Sequence, residues 1–330
     1  MALIGIHDSE AEYSHSKVKF PNFALMKLSA WHKKQGDEVE WWQPLNNHLY
    51  EKVYSSKVFS FTPENPYLPE CTERGGVGYG LYNELPPEID CQSCDYSIYP
   101  DCDYAIGFLT RGCPNKCDYC AVWKKEGNIR PYSNWRDIVR SDTNKLVIMD
   151  NNILACKHGI NQLSELSETD YRLDLNQGMD ITRLDEDIVK ILAKIKWIKY
   201  IRFSCDKTYQ LPYFEKMAEL FRKHGISLSR VFIYLLVRQG DCFYGGNADL
   251  RVQTLNGIYK NFNLYAQAER NEGVKPNRAQ LEFAQRYVYG KSYKKENWEQ
   301  YCKRNNFEFE DSATIRIMAD LVNAGLRKNN

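Results

Sequence analysis

Three cysteines stand at 113, 117 and 120 in the segment Gly107-Phe108-Leu109-Thr110-Arg111-Gly112-Cys113-Pro114-Asn115-Lys116-Cys117-Asp118-Tyr119-Cys120. The spacing is C-x3-C-x2-C on one short loop. Three thiolates so placed can each bind one iron of a [4Fe–4S] cubane and leave the fourth iron open to a small molecule. Bacterial ferredoxins use C-x2-C-x2-C-x3-C-P and fill every iron with protein. Structural zinc sites want four ligands, commonly as paired C-x2-4-C knuckles. The rival readings of the loop are a structural zinc site or buried free thiols. The chain holds 11 cysteines, and clustered cysteines in a reducing compartment point to metal or redox chemistry rather than to disulfides. Cys91-x2-Cys94 has a knuckle spacing, and with Cys71 and Cys102 it is a weaker candidate for an accessory metal site.

The elements around the loop alternate. Strand-like runs cover 105–110, 145–150, 171–175, 200–204 and 230–237. Helical spacing covers 135–140, 160–168, 186–195 and 213–224. Repeated strand–helix units predict a parallel sheet with right-handed crossovers, and the expectation is a partial (β/α)6 TIM-type barrel over residues 101–240. Residues 1–100 read as a small open α/β domain, with strands near 3–7, 39–42 and 57–62, a helix over 23–35 stopped by Gly36, and a turn at Gly75-Gly76-Val77-Gly78-Tyr79-Gly80. Residues 241–330 read as a mainly helical extension that follows a glycine-rich start (Gly245, Gly246).

In a parallel layer, ligands gather at the carboxyl ends of strands. Those ends are polar here: Asp150-Asn151-Asn152, then Asp174-Leu175-Asn176-Gln177-Gly178-Met179-Asp180, then Arg202-Phe203-Ser204-Cys205-Asp206. Alternation sets Asp174 and Asn176 opposite Leu173 and Leu175. Inward polar groups are costly unless paired.

The cysteine loop, its preceding Arg-Gly, the aromatic Tyr119 before the third cysteine and the strand–helix series behind it resemble the radical S-adenosylmethionine (SAM) superfamily, over roughly residues 101–240. The resemblance implies that Cys113, Cys117 and Cys120 hold the [4Fe–4S] cluster and that SAM chelates the open iron. It implies reductive cleavage of SAM to a 5′-deoxyadenosyl radical that abstracts a substrate hydrogen, with flavodoxin or ferredoxin as the kind of electron donor. It places Tyr119 beside adenine. Asp150-Asn151-Asn152 stands where most members have a Gly-Gly-Glu-like turn for the SAM amino group. Asn176 and Gln177 would meet ribose or substrate, Arg202 the SAM carboxylate, and Ser204 or Asp206 the ribose hydroxyls. No substrate-side catalytic residue stands out.

The first region resembles a degenerate cobalamin-binding-type domain. That family's D-x-H-x-x-G motif is absent and neither His7 nor His15 has its spacing, so cobalamin is not expected. The order of GGxGY, LPPEI, DYxxYP, cysteine loop, DNN and NQGxD is similar to a branch of radical SAM proteins in bacteria and their phages. Methylthiotransferases have a comparable start, but their N-terminal cluster cysteines do not map here.

Composition sets wider bounds. With 43% hydrophobic and 26% charged residues and a net charge of +1, the chain reads as an ordinary globular protein. No run approaches the roughly 18 apolar residues of a membrane span, and Met1 to Ile6 reads as a strand rather than a leader. The expected place is the cytoplasm. Residues 251–330 carry 14 basic against 9 acidic residues. The stretch 285–303 interleaves Tyr and Trp with Lys and Arg, which suits either base stacking or, better, an amphipathic helix packed on the barrel. RNA or a nucleoside stands slightly ahead of peptide or small molecule as substrate. The alternative from another class is a non-catalytic, metal-stabilised scaffold for nucleic acid or protein.

Overall fold

A computed structural model describes residues 1–13, 19–238, 240–242, 246–270 and 275–307. His15, Gly245 and the extension beyond 307 lie outside the described residues. The chain is mixed α/β with parallel sheets.

The first sheet contains β1 (Leu3–Asp8), β2 (Glu38–Trp41), β3 (Lys52–Ser56) and β4 (Thr72–Gly75), ordered β2-β1-β3-β4 with every pair parallel. The helix Phe23–Lys34 crosses from β1 to β2. Asn22 caps it by accepting from the Leu25 N–H, and Gly36 ends it at φ +87°, a left-handed turn that glycine takes without steric cost. The expected strand over 57–62 is a loop instead. Its alternating Phe59 and Phe61 stack on each other at 5.1 Å and are exposed. The edge that would extend β3 is taken by the glycine turn: Gly78 N–H donates to Lys57 O at 2.8 Å, and a Cβ on Gly76 would stand 2.4 Å from that oxygen.

Two further four-stranded sheets follow. β5 (Ala105–Gly107) and β8 (Lys145–Ile148) pair with β9 (Arg172–Leu175) and β11 (Lys196–Trp197) in the order β11-β9-β8-β5. Between β5 and β8 lies a separate antiparallel ribbon, β6 (Thr110–Arg111) with β7 (Arg130–Pro131). The other sheet is β10 (Met179–Asp180), β12 (Ile201–Ser204), β13 (Val231–Val237) and β14 (Asn263–Ala268), in that order. All pairs within both four-stranded sheets are parallel. β12 also lies against β9. β14 falls in the region expected to be mainly helical. The expected helix at 135–140 is one 3-10 turn, Trp135–Asp137, boxed by Asn134 and Asp137.

The strands show two faces. In β13, Val231, Ile233, Leu235 and Val237 are buried, while Phe232, Tyr234 and Leu236 are half-buried, as a period of two dictates. Phe203 of β12 packs on Phe214 and Phe221 of the helix Leu211–Lys223, with centroids 6.3 and 6.2 Å away. Arg202 therefore lies on the face away from the helices. There its guanidinium grips Asp174 at 2.6 and 2.7 Å and meets Tyr234 Oη at 3.3 Å. Asp174 and Arg202 are thus paired with each other.

The apolar cluster of the first region does not stop at residue 100. It joins Ile4, Ile6, Leu25 and Met26 to Ile106 and Met149. Four of the five rings of the stretch 285–303 close a second cluster: Tyr287, Tyr293, Trp298 and Tyr301 are buried, while Tyr289 is exposed. Those four are packed inside and present no open face to a base. No helix among the described residues is long and apolar enough to cross a membrane.

Candidate metal and cofactor site

The three-cysteine loop is clamped at its stem. β6 and β7 pair Thr110 with Pro131 and Arg111 with Arg130, closing residues 112–129 into one excursion. Gly112 turns the chain at φ +85°, and a Cβ there would stand 2.5 Å from Asn128 O. Gly112→Ala is expected to cost about 1–3 kcal/mol through the left-handed backbone and the clash, read as a lower denaturation midpoint. An unchanged midpoint would show that the turn re-forms around alanine.

Two carboxylates hold the stem. Asp150, buried after β8, accepts from Leu109 N–H at 2.7 Å, Thr110 N–H at 2.7 Å and Thr110 Oγ1 at 2.6 Å. Burial nevertheless dominates and pushes its carboxyl up to about 6. These bonds bend the chain between β5 and β6, where a continuous strand was expected. Glu126 pairs with Arg111 at 2.9 Å and accepts from Gly112 N–H at 3.0 Å and Asn151 Nδ2 at 3.2 Å. Asp150 is therefore committed to the loop, not open as an acceptor for a ligand amino group.

Cys113, Cys117 and Cys120 are free and partly exposed. The Cys120 thiol is pushed up first by burial and then by the neighbouring sulfurs of Cys117 and Cys113, so the three share one neighbourhood. Two amide donors face the Cys113 sulfur, the Asn115 N–H at 3.4 Å and Asn152 Nδ2 at 3.5 Å. Asn152 Nδ2 also reaches Asp180 Oδ2 at 3.4 Å, and Asn115 Nδ2 donates to the same oxygen at 2.9 Å. The first cysteine is thereby joined to the ends of β8 and β10. Asn152 is 3% exposed and its Oδ1 has no hydrogen-bond partner. A buried orphan acceptor of this kind asks for a donor from outside the chain.

The third cysteine's flank meets the next strand ends. Tyr119 Oη donates to Asp206 Oδ2 at 3.1 Å, and Asp206 Oδ1 accepts from Leu236 N–H at 2.9 Å. Burial, and then Asp206, raise the Tyr119 hydroxyl's pKa; burial raises that of Asp206. Arg238, after β13, pairs with Asp118 at 2.9 Å and lies 5.9 Å from the Tyr119 ring. Trp123 Nε1 donates to Cys117 O at 2.8 Å.

The remaining expected ligands are more scattered. Arg202 is engaged by Asp174, as described. Asn176 gives its carbonyl to Tyr234 Oη at 3.2 Å, Gln177 is exposed, and Ser204 is half-buried. Cys205 is fully buried, its thiol pushed up to about 12 by desolvation. Glu126, Asn115 and Arg238 were not picked out in the sequence. The signal for Glu126 was its charge inside the excursion opposite Arg111; Asn115 and Arg238 carried none.

Whether the residues fit a cluster turns on the donors. Among the described residues no three His, Cys, Asp or Glu side chains converge on a single ion position. A cubane takes each thiolate on a different iron, so it asks for sulfurs around a common opening and for N–H donors to those sulfurs. Three neighbouring thiols and two N–H donors on Cys113 go part of the way to that demand. Cys91 and Cys71 are exposed, Cys102 is buried and Cys94 half-buried with a thiol pushed up to about 12, so those four are not gathered as an accessory site. No known protein family matches the chain, and no characterised protein matches it in sequence.

Proposed function

We propose that this chain is a radical SAM enzyme, with Cys113, Cys117 and Cys120 as ligands of a [4Fe–4S] cluster. The observation that carries the reading is the Cys113 sulfur, which receives N–H donors from its own loop and from the end of β8. When bound, the cluster would supply the electron that cleaves SAM to methionine and a 5′-deoxyadenosyl radical. Asn115 and Asn152 would orient the first thiolate and modulate it by donating to sulfur. Glu126 and Asp150 would hold the loop. Tyr119, fixed by Asp206, would form a wall for adenine, and Asn152 Oδ1 would accept from the ligand's amino group. Asn151, Asn176, Gln177 and Ser204 stay as candidate contacts at neighbouring strand ends. Arg202 would contact the SAM carboxylate only by leaving Asp174.

In this reading the two parallel sheets are successive parts of a partial (β/α)6 barrel, running β5, β8, β9, β12, β13, β14. The face away from the helices carries a row of rings: Tyr200, Phe232, Tyr234 and Tyr265 lie 5.0 to 6.1 Å from their neighbours. Such a row favours a flat substrate, hence RNA or a nucleoside ahead of a peptide. A protein of this kind works in a reducing cytoplasm with a flavodoxin or ferredoxin as donor.

Anaerobically reconstituted protein with dithionite is expected to turn SAM into methionine and 5′-deoxyadenosine. Protein that loads zinc and no iron–sulfur, or that carries the cluster and leaves SAM intact, would instead support the metal-stabilised scaffold.

A further inference from the structure

A cavity of about 310 Å³ opens at the carboxyl ends of β1 and β2, in the first region. Its volume lies at the small end of the small-molecule range. β1 is where the strand order reverses, since β2 lies on one side and β3 and β4 on the other. The connections diverge between β1 and β3, whereas this cavity lies on the β2 side of β1, against Ile6, His7, Asp8, Trp41 and Trp42.

The walls are aromatic. Trp41 stands edge-on to Tyr99 at 5.2 Å, and Trp42 edge-on to His7 at 5.5 Å. Asp8 is 5% exposed and fixed by the Tyr99 hydroxyl at 2.7 Å and by the N–H groups of Glu10 and Ala11 at 3.1 and 3.2 Å. Its Oδ2 receives one donor and keeps acceptor capacity. Glu12 faces the same space, anchored by His7 Nε2 at 2.9 Å and Asn65 Nδ2 at 2.8 Å. Asp101 and Lys19 also line it, and Lys19 donates to Ala11 O at 2.7 Å. Among the described lining residues Asp8, Glu12 and Asp101 stand against Lys19, an excess of acid that disfavours anions, while indole faces and carboxylates both attract cations.

We infer that this cavity is a second ligand site, distinct from the cysteine loop, for a small organic cation with a flat apolar body. Its rings stack or edge the body, and Asp8 and Glu12 receive the N–H donors. Both ring nitrogens of His7 are already engaged, with Ser55 Oγ at 2.9 Å and with Glu12, so it serves as a wall.

The test uses the full chain and three probes of one shape and different charge: benzamidine, benzamide and benzoate. By calorimetry, benzamidine is expected to saturate one site and to bind at least about tenfold more tightly than benzamide, the worth of a charge-assisted hydrogen bond, with benzoate showing no binding. Glu12→Gln and Trp42→Leu should each weaken benzamidine by about tenfold and leave the iron content of reconstituted protein unchanged. Equal or tighter binding of benzoate, benzamidine affinity indifferent to both substitutions, or no saturable binding of any probe would each overturn the inference. Should Trp42→Leu fail to fold, Glu12→Gln alone decides, because that side chain is partly exposed.

Discussion

Replacing Cys117 with alanine is expected to strip the reconstituted protein of bound iron and sulfide, and with them of SAM cleavage. Two thiolates remain, too few to retain a cubane that already lacks a fourth protein ligand. The fold should survive, because Cys117 is partly exposed and its backbone contacts, the Trp123 indole on its carbonyl among them, do not involve the sulfur. Iron and sulfide content, the visible absorption of the cluster and the far-UV dichroism together check this. Cys91→Ala is the control, since that thiol is exposed and distant in sequence from the loop, and it should leave iron content unchanged. Full retention of the cubane spectrum by Cys117→Ala would refute the ligand assignment.

The second large effect is on stability. Asp150→Ala leaves two backbone N–H groups and the Thr110 hydroxyl without their acceptors. Each buried orphan costs about 1–3 kcal/mol, so a loss of at least about 3 kcal/mol is expected, with a lowered denaturation midpoint and poorer cluster retention. The pH dependence has a definite sign. Burial raises the folded carboxyl from 3.8 to about 6, so the folded state binds this proton more tightly than the unfolded chain. The stability it contributes is full below the unfolded pKa and is lost as pH rises through the folded one. Asp150→Asn removes that titration, although its amide sets donors against donors. The stability gap between wild type and Asp150→Asn should therefore narrow as pH rises from about 4 to about 7. A widening gap would mean that the three donors outweigh burial.

Much of this site was legible because its parts are close in sequence. The C-x3-C-x2-C spacing is local, and Gly112 sits beside it. Four of the five expected strands behind the amino-terminal region kept their place within a residue or two, because Val-, Ile- and Leu-rich runs alternate with helical spacing. The fifth, at 105–110, was broken by Asp150, which lies 40 residues further on. β14 escaped notice because Asn263–Ala268 has no β-branched residue to mark it and gains its place by pairing with β13. Phe59 and Phe61 misled in the other direction: they alternate like a strand, yet no edge remains for them. The Asp174–Arg202 pair joins residues 28 apart on different strands. Each was visible singly, but the partnership that takes Arg202 from an incoming carboxylate was not. The orphan oxygen of Asn152 likewise exists only once three chain segments have met.

The apolar cluster shared by Ile4, Ile6, Leu25, Met26, Ile106 and Met149 bears on how the protein can be divided. A chain begun at residue 101 would leave Ile106 on β5 and Met149 just after β8 facing water, close ahead of the cysteine loop and of Asp150. The first hundred residues are thus a retaining wall for the layer that carries the cysteine loop, and any chimera that moves the loop to another background has to carry that wall with it.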